Sequence, residues 1–100
     1  MITGASRVRL CPDVRYRIID GEAVVVRQEV GEVVVLSPVG ARILDLVREV
    51  DGVSNLLDCL IREYDADAES LERDLHGFLQ ELLDAGVIDI MGESSSTDVP

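Results

Sequence analysis

The sequence predicts an α+β fold: three short antiparallel strands, then three helices, then a short closing strand. Three observations carry this prediction. Valine-rich runs broken by tight turns fill the first third, apolar stripes of helical period run from Pro38 to Gly86, and a last apolar run follows Gly86. One hundred residues make one domain with one core, and 47% apolar residues with only 3% aromatic make that core one of Val, Leu and Ile.

From Val14 to Ile19 the chain alternates apolar and polar residues, the period of a half-buried strand, and Asp20-Gly21 follows as a turn signal. Ala23 to Gln28 is a second run. Glu29-Val30-Gly31 turns the chain again, and Glu32 to Leu36 is a third run. Turns this short join only antiparallel neighbours, so the three runs form a meander. Residues 1–13 show no element signal and are expected to be flexible or irregular.

Ser37-Pro38 starts a helix, because Ser is a favoured N-cap and Pro suits the first helical position. Val39, Ile43, Leu46, Val47 and Val50 form its apolar stripe, and Asp51-Gly52 ends it. Gly40 in the first turn costs about 1 kcal/mol against Ala, which predicts that a neighbouring element packs closely there. Ser54 is placed to cap a second helix with Leu56, Leu57, Leu60, Ile61 and Tyr64 on one face. Asp65-Ala66-Asp67 is a linker or cap. A third helix carries Leu71, Leu75, Phe78, Leu79, Leu82 and Leu83 in register and closes at Gly86. Val87 to Ile90 reads as a short final strand, and residues 91–100, with Ser-Ser-Ser-Thr, as a disordered tail. Consecutive helices followed by a strand suggest a helix-turn-helix with a wing.

Charge narrows the function. Twenty acidic residues face nine basic ones, all Arg, for a net charge of −11. Between Asp67 and Gly86 six acids stand against the single Arg73, so a recognition helix here would be repelled by phosphates. Nucleic acid and anionic membrane surfaces are not expected partners. The basic charge is concentrated early: residues 1–28 hold five Arg against three acids. Of these, Arg15, Arg17 and Arg27 fall on the first two strands, a small basic face suited to an acidic contact.

Catalytic constellations are thin. His76 is the lone histidine, beside the apolar stripe of the third helix, where a structural role at the core boundary is expected. Cys11 and Cys59 are too far apart for a zinc knuckle and read as two half-buried thiols. The glycines sit at turns and caps rather than in a phosphate loop. No enzyme activity, metal or cofactor is expected. With no apolar run near the roughly 18 residues that span a bilayer and no secretory-type N-terminus, the protein reads as cytoplasmic.

The third strand is the suggestive element. Val33-Val34-Val35-Leu36 is apolar on both faces, and meander order leaves its edge unpaired. If Leu36 points to the core then Val34 does too, with Val33 and Val35 on the other face. Either an extended peptide adds to this edge by β-augmentation, or the third helix or a second copy of the chain covers it.

The stretch Val35-Leu36-Ser37-Pro38-Val39-Gly40-Ala41-Arg42-Ile43-Leu44-Asp45-Leu46-Val47 is joined by Asp51-Gly52, by Leu60-Ile61-Arg62-Glu63-Tyr64, by Asp74 to Leu82 and by Ala85-Gly86-Val87-Ile88. Together they resemble the PqqD family, small chaperone-like proteins of pyrroloquinoline-quinone biosynthesis and, more broadly, the RiPP recognition elements. The resemblance spans residues 14–90. It implies a degenerate winged helix-turn-helix, three strands followed by three helices. It also implies that a precursor's leader peptide binds as an extra strand along Glu32, Val33, Val34, Val35 and Leu36, facing Leu71, Asp74, Leu75 and Phe78 of the third helix. The bound leader is then delivered to a maturation enzyme, with a radical S-adenosylmethionine protein, a cyclase or a protease as candidates. Family members usually carry Asn where Ser37 stands, a cap-for-cap exchange. The acidic third helix argues against a strongly acidic leader.

The expected protein is therefore a non-catalytic peptide-binding adaptor, a monomer or weak dimer. The alternative is a winged-helix structural or regulatory protein acting through protein contact or dimerisation, with DNA binding third.

Overall fold

The computed structural model describes residues 2, 4–50, 52–65 and 67–93. The elements run β1 (Ser6–Leu10), β2 (Val14–Ile19), β3 (Glu22–Arg27), β4 (Glu32–Leu36), α1 (Pro38–Glu49), α2 (Val53–Tyr64), α3 (Ala68–Asp84) and β5 (Ile88–Glu93). The predicted meander is β2-β3-β4, and the three helices follow it.

The N-terminus departs from expectation. Residues 6–10 are a strand, not irregular chain, and β1 pairs antiparallel with β5 from Ser6↔Glu93 to Leu10↔Ile88. Burying Val8 against the helices drives it, and the ribbon continues where Cys11 N–H donates to Val87 O at 3.0 Å. The closing strand therefore belongs to a second, two-stranded sheet and runs to Glu93, so residues 91–93 are not tail. Residues 94–100 of the expected tail lie outside the described residues.

Helix starts follow capping chemistry in two of three cases. Ser37 Oγ accepts from Gly40 N–H at 3.3 Å, with Pro38 following, and Asp67 accepts from Ser70 N–H at 2.9 Å. The third case corrects the sequence reading. α2 is capped by Gly52, and Ser54 instead donates its hydroxyl to Gly4 O at 2.7 Å, tying the N-terminal segment to the helix.

One core joins all elements. Val25 on β3, Leu44 on α1, Leu60 on α2, Leu79 on α3 and Val87 are each fully buried. α1 packs across β3, β4 and β1, while α3 lies on α2 and β5. Arg42 on α1 grips Glu63 on α2 through Nε and Nη2, at 2.9 and 2.7 Å. Because α3 leans on α2 and β5, it has little contact with β4 and leaves a cleft beside that strand.

Candidate functional site

The cleft is built from the β3–β4 hairpin upward. Arg27 O accepts from both Val30 N–H (3.3 Å) and Gly31 N–H (2.8 Å), with Gly31 at φ +71°, so a turn with a glycine bulge closes the hairpin. Arg27 therefore turns its main-chain groups toward β4. Gln28 N–H points the opposite way, to Asp13 O beside β2. Antiparallel alternation then fixes the rest: Val25 and Ala23 bond to their partners Val34 and Leu36, and Val33 and Val35 turn their N–H and C=O groups to the open edge.

The side chains alternate to match. Leu36 is 8% exposed and Val34 half-buried, both on the inner face, whereas Val33 and Val35 are 60% and 59% exposed on the outer face. Neither α3 nor any other described element covers these two valines. The outer face also carries Val24, Val26 and Ile19, with Arg15 and Arg17 beside them in register. Arg27 is not part of that basic face. It has the parity of Ala23 and Val25, lies on the inner side, and donates to Glu32 Oε1 at 2.6 Å. Its guanidinium also lies against the turn after α3, where a Cβ built on Gly86 would lie 2.6 Å from Arg27 Nη2.

At the other end of β4 a pocket of about 200 Å³ opens between the start of α1 and α3. Ser37, Val39, Gly40, Leu71, Asp74 and Phe78 are among its walls, and the buried Leu75, Ile43 and Leu60 lie deepest. Gly40 admits the Phe78 ring as a wall, which is the close approach its position in the helix predicts.

Of the sequence-predicted site residues, Leu71, Asp74, Leu75 and Phe78 thus meet in one pocket. Glu32 to Leu36 form the strand that leads to it. Leu75 is core and contributes the floor, not a rim. Sequence reasoning missed Ser37, Val39, Gly40, Ile43 and Leu60 as pocket residues, although the position of the first four just after the edge strand was a usable signal.

Three further polar groups are placed by the fold. Tyr16 donates to Asp45 Oδ1 at 2.6 Å, joining β2 to α1, and the Arg48 guanidinium stands 5.8 Å from its ring centroid. Burial and the Asp45 carboxylate push the Tyr16 phenol above its ordinary 10.0. Cys11 and Cys59 are half-buried free thiols, and burial raises Cys11. His76 is half-buried, and its Nε2 has no hydrogen-bond partner among the described residues. No helix among the described residues is long and apolar enough to cross a membrane.

Comparison with known proteins assigns this arrangement. Residues 22–88 match the sequence model of a family described as coenzyme PQQ synthesis protein D (PqqD). The chain belongs to the PqqD family. The match begins at β3 and takes in the edge strand, the pocket and all three helices. No curated protein matches the chain. Among solved structures, TbiB1 in complex with the TbiA(beta) leader peptide is 28% identical with a TM-score of 0.76, over 90% of this chain and 99% of that one. A lasso peptide synthetase B1 complexed with its leader peptide shares the fold at 22% identity and a TM-score of 0.74. That alignment covers 82% of this chain and 96% of the other. The PqqD-type meander and helix trio are therefore common to all three chains.

Proposed function

We propose that this PqqD-family chain is a peptide-binding adaptor. It captures the leader segment of a ribosomally made precursor as an added strand on β4 and presents the rest of that precursor to a separate modifying enzyme. The observation that carries this reading is the open edge of β4, with the main-chain groups of Val33 and Val35 unpaired among the described residues, running into an apolar pocket. An unguarded edge is a liability that proteins normally blunt with charges, as Arg15 and Arg17 do on the opposite edge strand, β2. On β4 the edge positions Val33 and Val35 carry no charge, which an intended occupant explains. The relative solved with a leader peptide bound supports the same reading.

Main-chain hydrogen bonds supply sequence-tolerant affinity, and the pocket selects one apolar side chain of the leader. The adaptor contributes proximity: a held leader raises the effective concentration of the precursor at the enzyme without altering the chemistry. Calorimetric titration with the leader segments of short precursors encoded beside the gene tests this. Saturable binding is expected, and failure of all neighbouring candidates to bind overturns it. Concentration-dependent sedimentation with no response to peptide would instead assign the edge to self-association.

A further inference from the structure

On the reading that a leader pairs with β4, we infer that the cleft selects a leader whose helix-facing side carries a large apolar anchor flanked by Arg or Lys at the alternate positions two residues before and after it. The strand register sets the positions. Residues of an added strand that lie opposite Val34 and Leu36 point to the inner face, toward α3, while those opposite Val33 and Val35 point to the outer face. The residue opposite Leu36 is the one that reaches the pocket against Phe78, since both Leu36 and Phe78 touch Gly40.

α3 runs back along the strand. Its Phe78 level meets the Leu36 end, and the turn at Gly86 meets the Glu32 end through Arg27. On the flank of α3 facing this groove, helical period places Asp74, Phe78, Glu81 and Ala85 in one row. Asp74 stands at the pocket rim, beyond the Leu36 end, and Glu81 falls near the level of Val34. Both are exposed, and neither carboxylate has a hydrogen-bond or ion-pair partner among the described residues.

No cation of the groove answers them. Arg42 on α1 is engaged by Glu63 and Arg27 by Glu32, while Arg73, about 100° around α3 from Asp74, lies outside the Asp74–Phe78–Glu81 row. From Asp74 to Glu81 is seven helical residues, about 10.5 Å at 1.5 Å per residue. The positions two before and two after the anchor are four strand residues, about 13.5 Å apart, a difference that long basic side chains span. An apolar groove with a free carboxylate on either side of its pocket is complementary to a basic-apolar-basic pattern of period two.

The test uses a displayed library of short random peptides selected on the intact protein and on the Asp74→Lys/Glu81→Lys variant. Both positions are exposed, and circular dichroism and thermal melting confirm the variant's fold. The wild type is expected to enrich an apolar anchor flanked at alternate positions by Arg or Lys, and the variant to reverse the flanks to Asp or Glu. In resynthesised peptides, exchanging one flanking Arg for Gln should weaken binding roughly two- to five-fold, an effect that fades as salt rises from about 0.05 to about 0.5 M. Glu69→Lys/Glu72→Lys, with the same charge change on the far side of α3, should leave the enrichment unaltered. An apolar anchor with no charge bias, or the same peptides recovered on the Asp74/Glu81 variant, overturns this inference and leaves strand addition standing. No enriched peptide at all overturns strand addition itself.

Discussion

The ring of Phe78 rests on Gly40: a Cβ built on the glycine would lie 3.0 Å from Phe78 Cζ and 3.1 Å from Leu36 Cβ. These two contacts differ in how they can yield. Leu36 Cβ is fixed by the β4 backbone, whereas the half-buried Phe78 ring can swing into the open pocket. Gly40→Ala therefore gains at most about 1 kcal/mol of helix propensity but loses more than that to the displaced ring and the unyielding Leu36 Cβ together, and should be destabilised by about 1–2 kcal/mol net. Peptide affinity should fall roughly five- to tenfold because the ring now fills the anchor's space. Titration and thermal melting of the same sample separate the two effects.

Proline placed along β4 distinguishes the ladder from the free edge. Val34 bonds to Val25 on β3, so Val34→Pro breaks the sheet and should cost about 3 kcal/mol or more in chemical denaturation. Val33 and Val35 turn their N–H groups outward, and Pro is tolerated at such positions of an edge strand. Val33→Pro and Val35→Pro should keep most of the stability while lowering peptide affinity roughly three- to tenfold, the loss of about one hydrogen bond in a ladder. Equal stability losses at all three positions would overturn the edge assignment.

Tyr16→Phe removes the phenol that donates to Asp45 and should cost about 0.5–1.5 kcal/mol at neutral pH. Its pH dependence has a definite sign. Burial first, and then Asp45, raise the phenol above its ordinary 10.0 in the folded state, so the neutral form is the one the fold favours. That stability is fully present below pH 10.0 and is lost as pH rises through the raised folded value. The alkaline decline in denaturation midpoint should be shallower in Tyr16→Phe than in the wild type.

Gly86→Ala should be among the costlier surface substitutions. Gly86 has φ +80°, worth about 1–2 kcal/mol to a residue with a Cβ, and the new methyl would also run into Arg27. Arg27 must then leave its place beside Glu32. In an Arg27→Ala background the added cost of Gly86→Ala should shrink to the backbone part alone, which a double-mutant cycle in denaturant measures.

The sequence was readable where the information is local. Period-two valines and period-3.6 leucines placed β2 to β4 and the three helices, Ser37-Pro38 and Asp67 marked starts, and Gly40 announced a close neighbour that proved to be Phe78. The alternation of Val33 to Leu36 was legible because a pleat allows only two faces. What failed was non-local or competitive. Ser6 to Leu10 also alternates, but its partner lies some eighty residues away in β5, and nothing local names it. Ser54 has cap chemistry, yet Gly4 O offered its hydroxyl a different acceptor. Arg27 was grouped with Arg15 and Arg17 by sign, although its parity with Ala23 and Val25 already placed it on the inner face. Glu81 was countable as an acid but became meaningful only once α3 was seen to line the cleft with the Asp74 side.

The β1–β5 ribbon has a mechanical meaning. Its outermost rung is Ser6↔Glu93 and its innermost Leu10↔Ile88, so tension on the two chain ends parts it rung by rung, as a zipper opens, instead of shearing all rungs together. The innermost rung holds Ile88, directly behind it lies Val87, both fully sheltered from water, and behind them comes the helix that walls the cleft. An unfolding machine that grips either terminus thus meets its weakest geometry first, and forced unfolding follows the rate of that opening. How long the adaptor survives such a pull is decided at the ribbon.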